Sequence, residues 1–388
     1  MIQLDYNIHP AKQIPFQELY DGLEQECLNR NVFKKMNRNL IIYSYSSSCA
    51  YEKKWNIYTL CARGLILDVA NKKIVALPFP KFFNYSELEN FILPNEPFEC
   101  FDKIDGSLAV IYYYENQWNI ATKGAFASDQ AIWAKNWFDS HINQKNMHKD
   151  YTYLAEIVYH ENRIVVNYDI AGLFLLGAYD VVCGQEIDIN YLFEQNDNIG
   201  FFTPKKYEFQ NIADAVENIQ TWDASREGVV VRYQSGFRLK VKGGDYCRLH
   251  RIISGCTPLA VWGAMRDCQD IEQMRKHLPE EFRADIDTIV SIFEQKYEKN
   301  LTILKEDVER FADLDDKSLG ILLNNKFAPI NPVTRSFIFA CRKYNFFEQI
   351  KQSCKMRTNF FNLFRPTANV LPGYTPTSAM NRFQNSDN

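Results

Sequence analysis

The sequence predicts an α+β fold, a strand-rich N-terminal part followed by an all-helical one. Three observations predict it. Between residues 40 and 242, short β-branched and aromatic runs recur, separated by Gly, Pro and Asn turns. From about residue 255 those runs stop, and apolar residues recur at steps of three and four. At 388 residues the chain is too long for one ordinary core. The expected boundaries are 1–254 for the strand-rich domain and 255–353 for the helical domain. Residues 354–388 are expected to be an extended or flexible tail, because Pro, Asn, Thr and Ser gather there without periodicity.

Residues 16–29 carry Phe16, Leu19, Leu23 and Cys27 at helical spacing. Residues 40–45 and 55–68 read as strands, the second with Arg63-Gly64 in its middle. Residues 74–77 form a short strand. Pro78 and Pro80 exclude a central strand over 78–85, so that stretch is a rigid loop presenting Lys81 among aromatics. Residues 86–89 read as a capped helical turn. Residues 109–114 are a strand, 118–126 its return, and 132–138 begin a helix. Residues 153–159, 162–168 and 173–182 read as strands, with a turn at 184–186. Two more strands follow, over 228–232 and from 237. In the helical part, residues 281–311 place Phe282, Ile286, Ile289, Phe293, Tyr297 and Leu301 on one face of a long helix. Two or three further helices are expected up to residue 353.

Composition excludes several classes. Net charge is -4, so nucleic-acid binding cannot be argued from bulk charge and must come from local basic surface. The 28 Phe and 22 Tyr suit strand packing and base stacking. The ten cysteines form no C-x-x-C pair, which argues against a zinc site and a disulfide framework and fits a reducing compartment. No signal-peptide pattern and no apolar run of spanning length occurs, so the chain reads as cytoplasmic, with no membrane partner.

The chemistry gathers at Phe101-Asp102-Lys103-Ile104-Asp105-Gly106-Ser107-Leu108. Lys103 sits in an Asp-Gly turn at the mouth of a strand. Partial burial and neighbouring cations would lower its pKa and leave a nucleophilic amine. The other reading is a hairpin turn with a solvated lysine. Glu156 lies within an apolar strand, where a carboxylate is costly unless paired, hydrogen-bonded or on a metal. Glu227 abuts another such run. Arg238, Lys240 and Lys242 alternate, so three cations share one strand face. That is either a charged edge strand or a face that polyphosphate compensates. Gly64 marks either a bulge or a close approach, with Arg63 either a surface charge or aimed at phosphate. One candidate nucleophile, two embedded carboxylates and phosphate-seeking cations together describe nucleotidyl transfer.

Here the sequence resembles a family. Lys103-Ile104-Asp105-Gly106-Ser107 is similar to motif I of the covalent nucleotidyltransferases: DNA ligases, RNA ligases and capping enzymes. The stretches at 227–231 and 239–242 resemble their motifs IV and V. The resemblance is nearest to the phage-type RNA ligase 1 family, through the stretches at 62–67, 81–84, 122–124 and 156–165 and more weakly Tyr43-Ser44-Tyr45. It extends over about residues 40–250. Tyr246 follows motif V as a family aromatic does, although Gly243-Gly244-Asp245 departs from the usual bulkier version. The resemblance implies an adenylyltransferase domain of antiparallel sheets over 1–254. It implies three steps: Lys103 takes AMP from ATP, AMP passes to an RNA 5′-phosphate, and an RNA 3′-hydroxyl displaces AMP. By resemblance Lys103, Lys240, Lys242 and Glu227 are catalytic. Arg63, Lys81, Glu156, Tyr45, Lys123, Asp105 and Gly106 belong to the nucleotide site. Glu227 and Glu156 would bind Mg²⁺ or Mn²⁺. Arg163 reads as structural or RNA-facing. The implied partners are RNA ends, including broken tRNA, and an end-healing kinase or phosphatase acting in trans.

Two alternatives stay open. A DNA ligase or GTP-using capping enzyme usually carries a β-barrel after motif V, which the helical texture beyond residue 255 disfavours. A non-catalytic RNA-end-binding protein would retain the fold without the chemistry.

Overall fold

The computed structural model describes residues 6–380, apart from 89–90, 163, 277, 279, 326–329, 333, 344–345, 353, 368 and 378–379. The chain divides into two compact units, the first running to Arg248 and the second from Leu249 to Met380.

The first unit opens with α1 (Phe16–Leu28), which buries Leu19 and Leu23 as its periodicity requires. The hairpin β1 (Val32–Asn37) and β2 (Leu40–Tyr45) follows, then the short helices α2 (Ser47–Tyr51) and α3 (Ile57–Cys61). The expectation of a strand over 55–62 is corrected here. Asn56 accepts hydrogen bonds from the Tyr58 and Thr59 amides, and Thr59 Oγ1 accepts one from the Asn56 amide. That capping box starts a helix where β-branched composition reads as strand. β3 (Arg63–Asp68) and β4 (Lys73–Ala76) complete an antiparallel sheet ordered β1-β2-β3-β4.

After β5 (Phe83–Asn84) a single turn over Tyr85–Glu87, capped by Asn84, lies near the expected one. Then come β6 (Phe98–Asp102), β7 (Ser107–Tyr114), β8 (Gln117–Thr122), α4 (Asp129–His141), β9 (Tyr151–Val158) and β10 (Gly172–Asp180). The strand expected over 162–168 is absent at the described positions. Val165 and Val166 are buried, but their amides donate to the Asp105 carboxylate instead of to a strand. α5 (Ile189–Asn196), β11 (Lys206–Tyr207) and α6 (Ile212–Gln220) lead to β12 (Gly228–Tyr233), β13 (Arg238–Lys242) and α7 (Gly244–Ser254).

Two more sheets result, ordered β10-β9-β7-β8 and β11-β6-β12-β13-β5. All their pairings are antiparallel except the short parallel contact of β13 with β5. β6 and β7 lie in different sheets, so the 103–106 turn between them passes from one sheet to the other. The core over β7 and β9 is dense in apolar residues, among them Val110, Leu154 and Ala155, all fully buried.

Among the described residues, the regular elements of the second unit are all helices. It comprises α8 (Pro258–Arg266), α9 (Ile271–Lys276), α10 (Glu280–Arg310), α11 (Asp316–Asn324), α12 (Ile338–Lys343), α13 (Phe346–Gln352) and α14 (Cys354–Phe361). α10 buries Phe282, Ile286, Ile289 and Phe293 as its spacing predicts. The expected boundary at 353 is not a structural break. Phe360 and Phe361 are buried, and Phe361 O accepts the Trp262 indole N–H at 2.9 Å. Farther on, buried Asp285 accepts from Tyr374 Oη at 2.8 Å and from the Thr377 amide at 2.8 Å. These side chains give the Pro- and Thr-rich segment fixed partners that its lack of periodicity conceals.

Candidate active site

β6 runs beside β12, with Asp102 opposite Val229, and that pairing delivers Lys103 to the end of β12. The Lys103 amide donates to Gly228 O at 2.9 Å. Its side-chain amine donates to Glu227 Oε2 at 2.6 Å, and Lys242 reaches Glu227 Oε1 at 2.9 Å. Gly228, with φ +146°, permits the approach: a Cβ there would stand 2.0 Å from Val241 O. Burial pushes the Glu227 carboxyl up, but Lys103 and Lys242 together outweigh it and hold it at about 2.

Arg63 stands at the start of β3, which Gly64 (φ +102°) turns against β8, close to the Lys123 backbone. A Cβ on Gly64 would meet Val110 at 3.1 Å and Lys123 O at 3.4 Å. Arg63 Nη1 is buried with no hydrogen-bond partner. Its guanidinium lies 5.9 Å from the Phe82 ring centroid, and the Lys240 amine lies 4.6 Å from the same ring. The β5–β13 contact, which aligns Phe83 with Leu239 and Asn84 with Lys240, brings the two segments together. Arg63, Phe82, Asp102, Lys103, Glu156 and Lys240 line one cleft. Burial, then Arg63, Lys81, Lys103 and Lys242, push the Lys240 amine well below the usual lysine range. Burial likewise lowers Lys81, which donates to Phe82 O at 3.1 Å and lies 4.4 Å from the Phe83 ring centroid.

Glu156 of β9 pairs across to Leu108 of β7. Burial raises its carboxyl to about 7, against the pull of Lys103 and Arg63. Gly106 faces it: a Cβ there would meet Ile157 O at 2.4 Å and Glu156 Cγ at 3.1 Å. Neither Lys123 nor Tyr45 lines this cleft; the Lys123 amine lies 4.3 Å from the Tyr45 ring centroid, and Tyr45 packs edge-on against Trp55 at 5.1 Å.

Asp105 turns inward. Its Oδ2 accepts the Val165 and Val166 amides, both at 2.9 Å, its Oδ1 accepts Tyr246 Oη at 2.9 Å, and its own amide donates to Tyr168 Oη at 2.8 Å. What it touches is protein, which makes it a brace for the turn rather than an open ligand. The strand face of β13 is also not a bare cation ladder. Arg238 is paired bidentately with Glu186, and Lys242 with Glu227. Arg163 lies outside the described residues.

Asp102 and Phe82 were not legible as site residues in the sequence. Burial raises the Asp102 carboxyl to about 6, partly offset by Arg226 and Lys205. The argument that singles out Glu156, a carboxylate within an apolar strand, reaches Asp102 only in weaker form, because Asp102 follows the short run Cys100-Phe101. Phe82 reads as a core anchor, and only the convergence of two cations on its ring marks it.

Among the described residues no three His, Cys, Asp or Glu side chains gather to hold a metal, and no helix is long and apolar enough to cross a membrane.

Residues 61–246 match the family model described as RNA ligase. A protein of Autographa californica nuclear polyhedrosis virus, named for polynucleotide kinase and RNA ligase activities, is 26% identical over 226 residues, 49% of this chain and 30% of that protein. An RNA ligase of Rhodothermus phage RM378 is 23% identical over 306 residues, 60% of this chain and 69% of the phage protein. The chain thus spans less than a third of the first relative and about two thirds of the second. An archaeal ATP-dependent RNA ligase structure superposes with TM-score 0.48 at 12% identity, covering 73% of this chain and 83% of the other. Over these matched residues the chain is similar to RNA ligases.

Proposed function

We propose that this protein is an ATP-dependent RNA ligase that joins 5′-phosphate and 3′-hydroxyl RNA ends through a lysyl-AMP intermediate on Lys103. The observation that carries the reading is the Lys103 amine, held on Glu227, in a cleft whose other cations include an Arg63 nitrogen buried without an acceptor. A buried donor without a partner costs free energy, which a phosphate oxygen would recover.

In the proposed first step the Lys103 ammonium gives one proton to solvent, and its free amine nitrogen attacks the α-phosphorus of ATP. An N–P bond forms as the bond to the bridging oxygen breaks, pyrophosphate leaves, and the second proton passes from nitrogen to solvent. Arg63, Lys81 and Lys240 bind the triphosphate and stabilise charge on the leaving group. Glu227 aims the amine and fixes Lys242 beside it. Glu156 reaches the ribose. Lys123 and Tyr45 meet the phosphate of the incoming RNA end.

A divalent cation fits the donor set only with the nucleotide's help. Glu227 already engages two lysines, so Glu156 or Glu227 would supply one or two carboxylate ligands and phosphate oxygens the rest. Bound there, Mg²⁺ or Mn²⁺ would neutralise phosphate charge. The natural RNA would include broken tRNA, and the setting would be cytoplasmic. Ends needing repair would be healed by a kinase or phosphatase acting in trans; polynucleotide kinase is coupled to RNA ligase in the name of the viral relative.

The test is incubation with α-labelled ATP or GTP and a divalent metal. Label from ATP on the protein, absent in Lys103→Ala, and closure of single-stranded RNA support the reading. Label from GTP alone points to capping, sealing of duplex DNA alone to a DNA ligase, and no label to an RNA-end binder.

A further inference from the structure

At the far end of β7 from Lys103 lies a second cleft, of about 540 Å³. Its walls include Lys12, Lys72, Lys73, Lys149, Tyr113 and Tyr114. Nothing in the proposed chemistry uses these residues. We propose that this cleft holds single-stranded polynucleotide, the body of the RNA whose end is joined at Lys103. The proposal rests on the ligase reading for the identity of the strand and on the cleft alone for the binding.

Three features argue for it. The first is charge. Four lysines meet one lining carboxylate, Asp150, in a chain whose net charge is -4. Among the described residues none of the four has a carboxylate ion pair within 4 Å. Asp68, which accepts Tyr114 Oη at 2.9 Å, and Asp180 near Lys12 are the other acids close by. Local basic surface of this kind is what an acidic chain needs in order to hold a phosphate backbone.

The second feature is the interleaving of cations with rings. The Lys73 amine lies 5.4 Å from the Tyr114 ring centroid, and the Lys149 amine 4.8 Å from that of Tyr113. Both rings are partly exposed. Aromatic faces beside phosphate-seeking lysines form a sequence-tolerant stacking platform for bases. The cleft also falls within the size range that holds a nucleotide-sized ligand.

The third is distance. Ser107 begins β7 at the lysine turn, and Tyr114 ends it. Seven steps of a strand span about 23 Å. A strand leaving the joined end would reach this cleft after about seven nucleotides, at about 3.4 Å per residue of stacked strand. Contacts at that remove would set affinity without entering the chemistry.

The test uses the full chain and the double variant Lys73→Ala/Lys149→Ala, at exposed positions. Binding of a fluorescent 12-nucleotide uridine oligomer is titrated at several salt concentrations. The expected loss is about tenfold in affinity at low salt. The slope of log affinity against log salt should fall by about 1.4, at 0.7 per phosphate contact. In ligation, KM should rise about tenfold for the 12-mer 5′-phosphate donor and stay unchanged for a 5′-phosphorylated dinucleotide, too short to reach the cleft. Lysyl adenylylation should be unaffected. An unchanged salt slope, or an equal rise in KM for both lengths, would overturn the proposal. If wild-type protein binds the oligomer through these lysines but takes no label from ATP, the ligase reading fails and the cleft stands.

Discussion

Glu227 carries the sharpest consequence of the site's electrostatics. Its side chain is 3% exposed and is shared by Lys103 and Lys242. Replacing it by Gln keeps the volume and removes the anion. Folding lowers the carboxyl from 4.5 to about 2. At about 1.4 kcal/mol per pH unit, this corresponds to about 3 kcal/mol of stability. The sign follows from which state binds the proton first. The unfolded chain protonates as pH falls through 4.5, whereas the folded chain holds out to about 2. The contribution is therefore complete above pH 5 and drains away between 4.5 and 2. Losing one member of a buried pair costs about 3–5 kcal/mol by the same reasoning, because the partners are left uncompensated. Denaturant unfolding of wild type and Glu227→Gln should differ by about 3 kcal/mol at pH 7 and converge toward pH 2.5. Titrations common to both proteins cancel in the difference. Inorganic pyrophosphate should stabilise the variant more than the wild type, since it supplies the missing negative charge. A difference that stays constant from pH 7 to pH 2.5 would refute the reasoning.

Gly228→Ala should lower stability by about 2–5 kcal/mol, from φ +146° and a Cβ 2.0 Å from Val241 O. Gly243→Ala, whose nearest neighbours stand at 3.6 Å, should stay within about 1 kcal/mol, and thermal melts compare the two. For Glu156 the sign is opposite to that of Glu227. Its folded carboxyl is raised from 4.5 to about 7, so the folded chain holds the proton longer and stability declines as pH rises from 4.5 to 7. Glu156→Gln should abolish that decline in unfolding measured across the interval. Lys240→Met should stabilise the free chain by about 1 kcal/mol in unfolding titrations, because it removes a buried cation that has no carboxylate of its own. The same change should raise KM for ATP at least tenfold in adenylylation assays.

The sequence resolves the fold best where one period rules a stretch. α10 is legible from its three-four spacing and β7 from its continuous β-branched and aromatic run, neither needing help from distant residues. It fails where one polar side chain, near or far, overrides the preference of the residues around it. The segment 57–61 has strand composition, yet one Asn56 cap makes it a helix. Residues 164–166 are apolar and β-branched, yet the Asp105 carboxylate takes two of their three amides away from any ladder. The site follows the same division. Residue types and order pick out Lys103, Arg63, Glu156, Glu227 and the β13 cations. They do not reveal that Asp105 braces its own turn, or that Glu186, 52 residues before Arg238, has already claimed that arginine.

That last pairing explains how so cationic a strand, the proposed triphosphate site, can fold with no ligand present. Alternate residues of a strand stand about 6.6 Å apart. Two uncompensated cations at that distance repel by about 2.5 kcal/mol at an effective dielectric of 20. Three in a row would cost roughly twice that from neighbours alone, a large part of the 5–15 kcal/mol that holds a domain together. β13 avoids the sum by giving its two outer cations resident acids, Glu186 for Arg238 and Glu227 for Lys242. Only the central Lys240 stays without one, and it faces Arg63 and Lys81 across Phe82 rather than water. The unmet positive charge is thereby gathered at Arg63, Lys81 and Lys240, where an incoming triphosphate would find three donors. The acid beside Lys103 serves the opposite purpose: it holds the amine in place until a phosphate displaces the interaction.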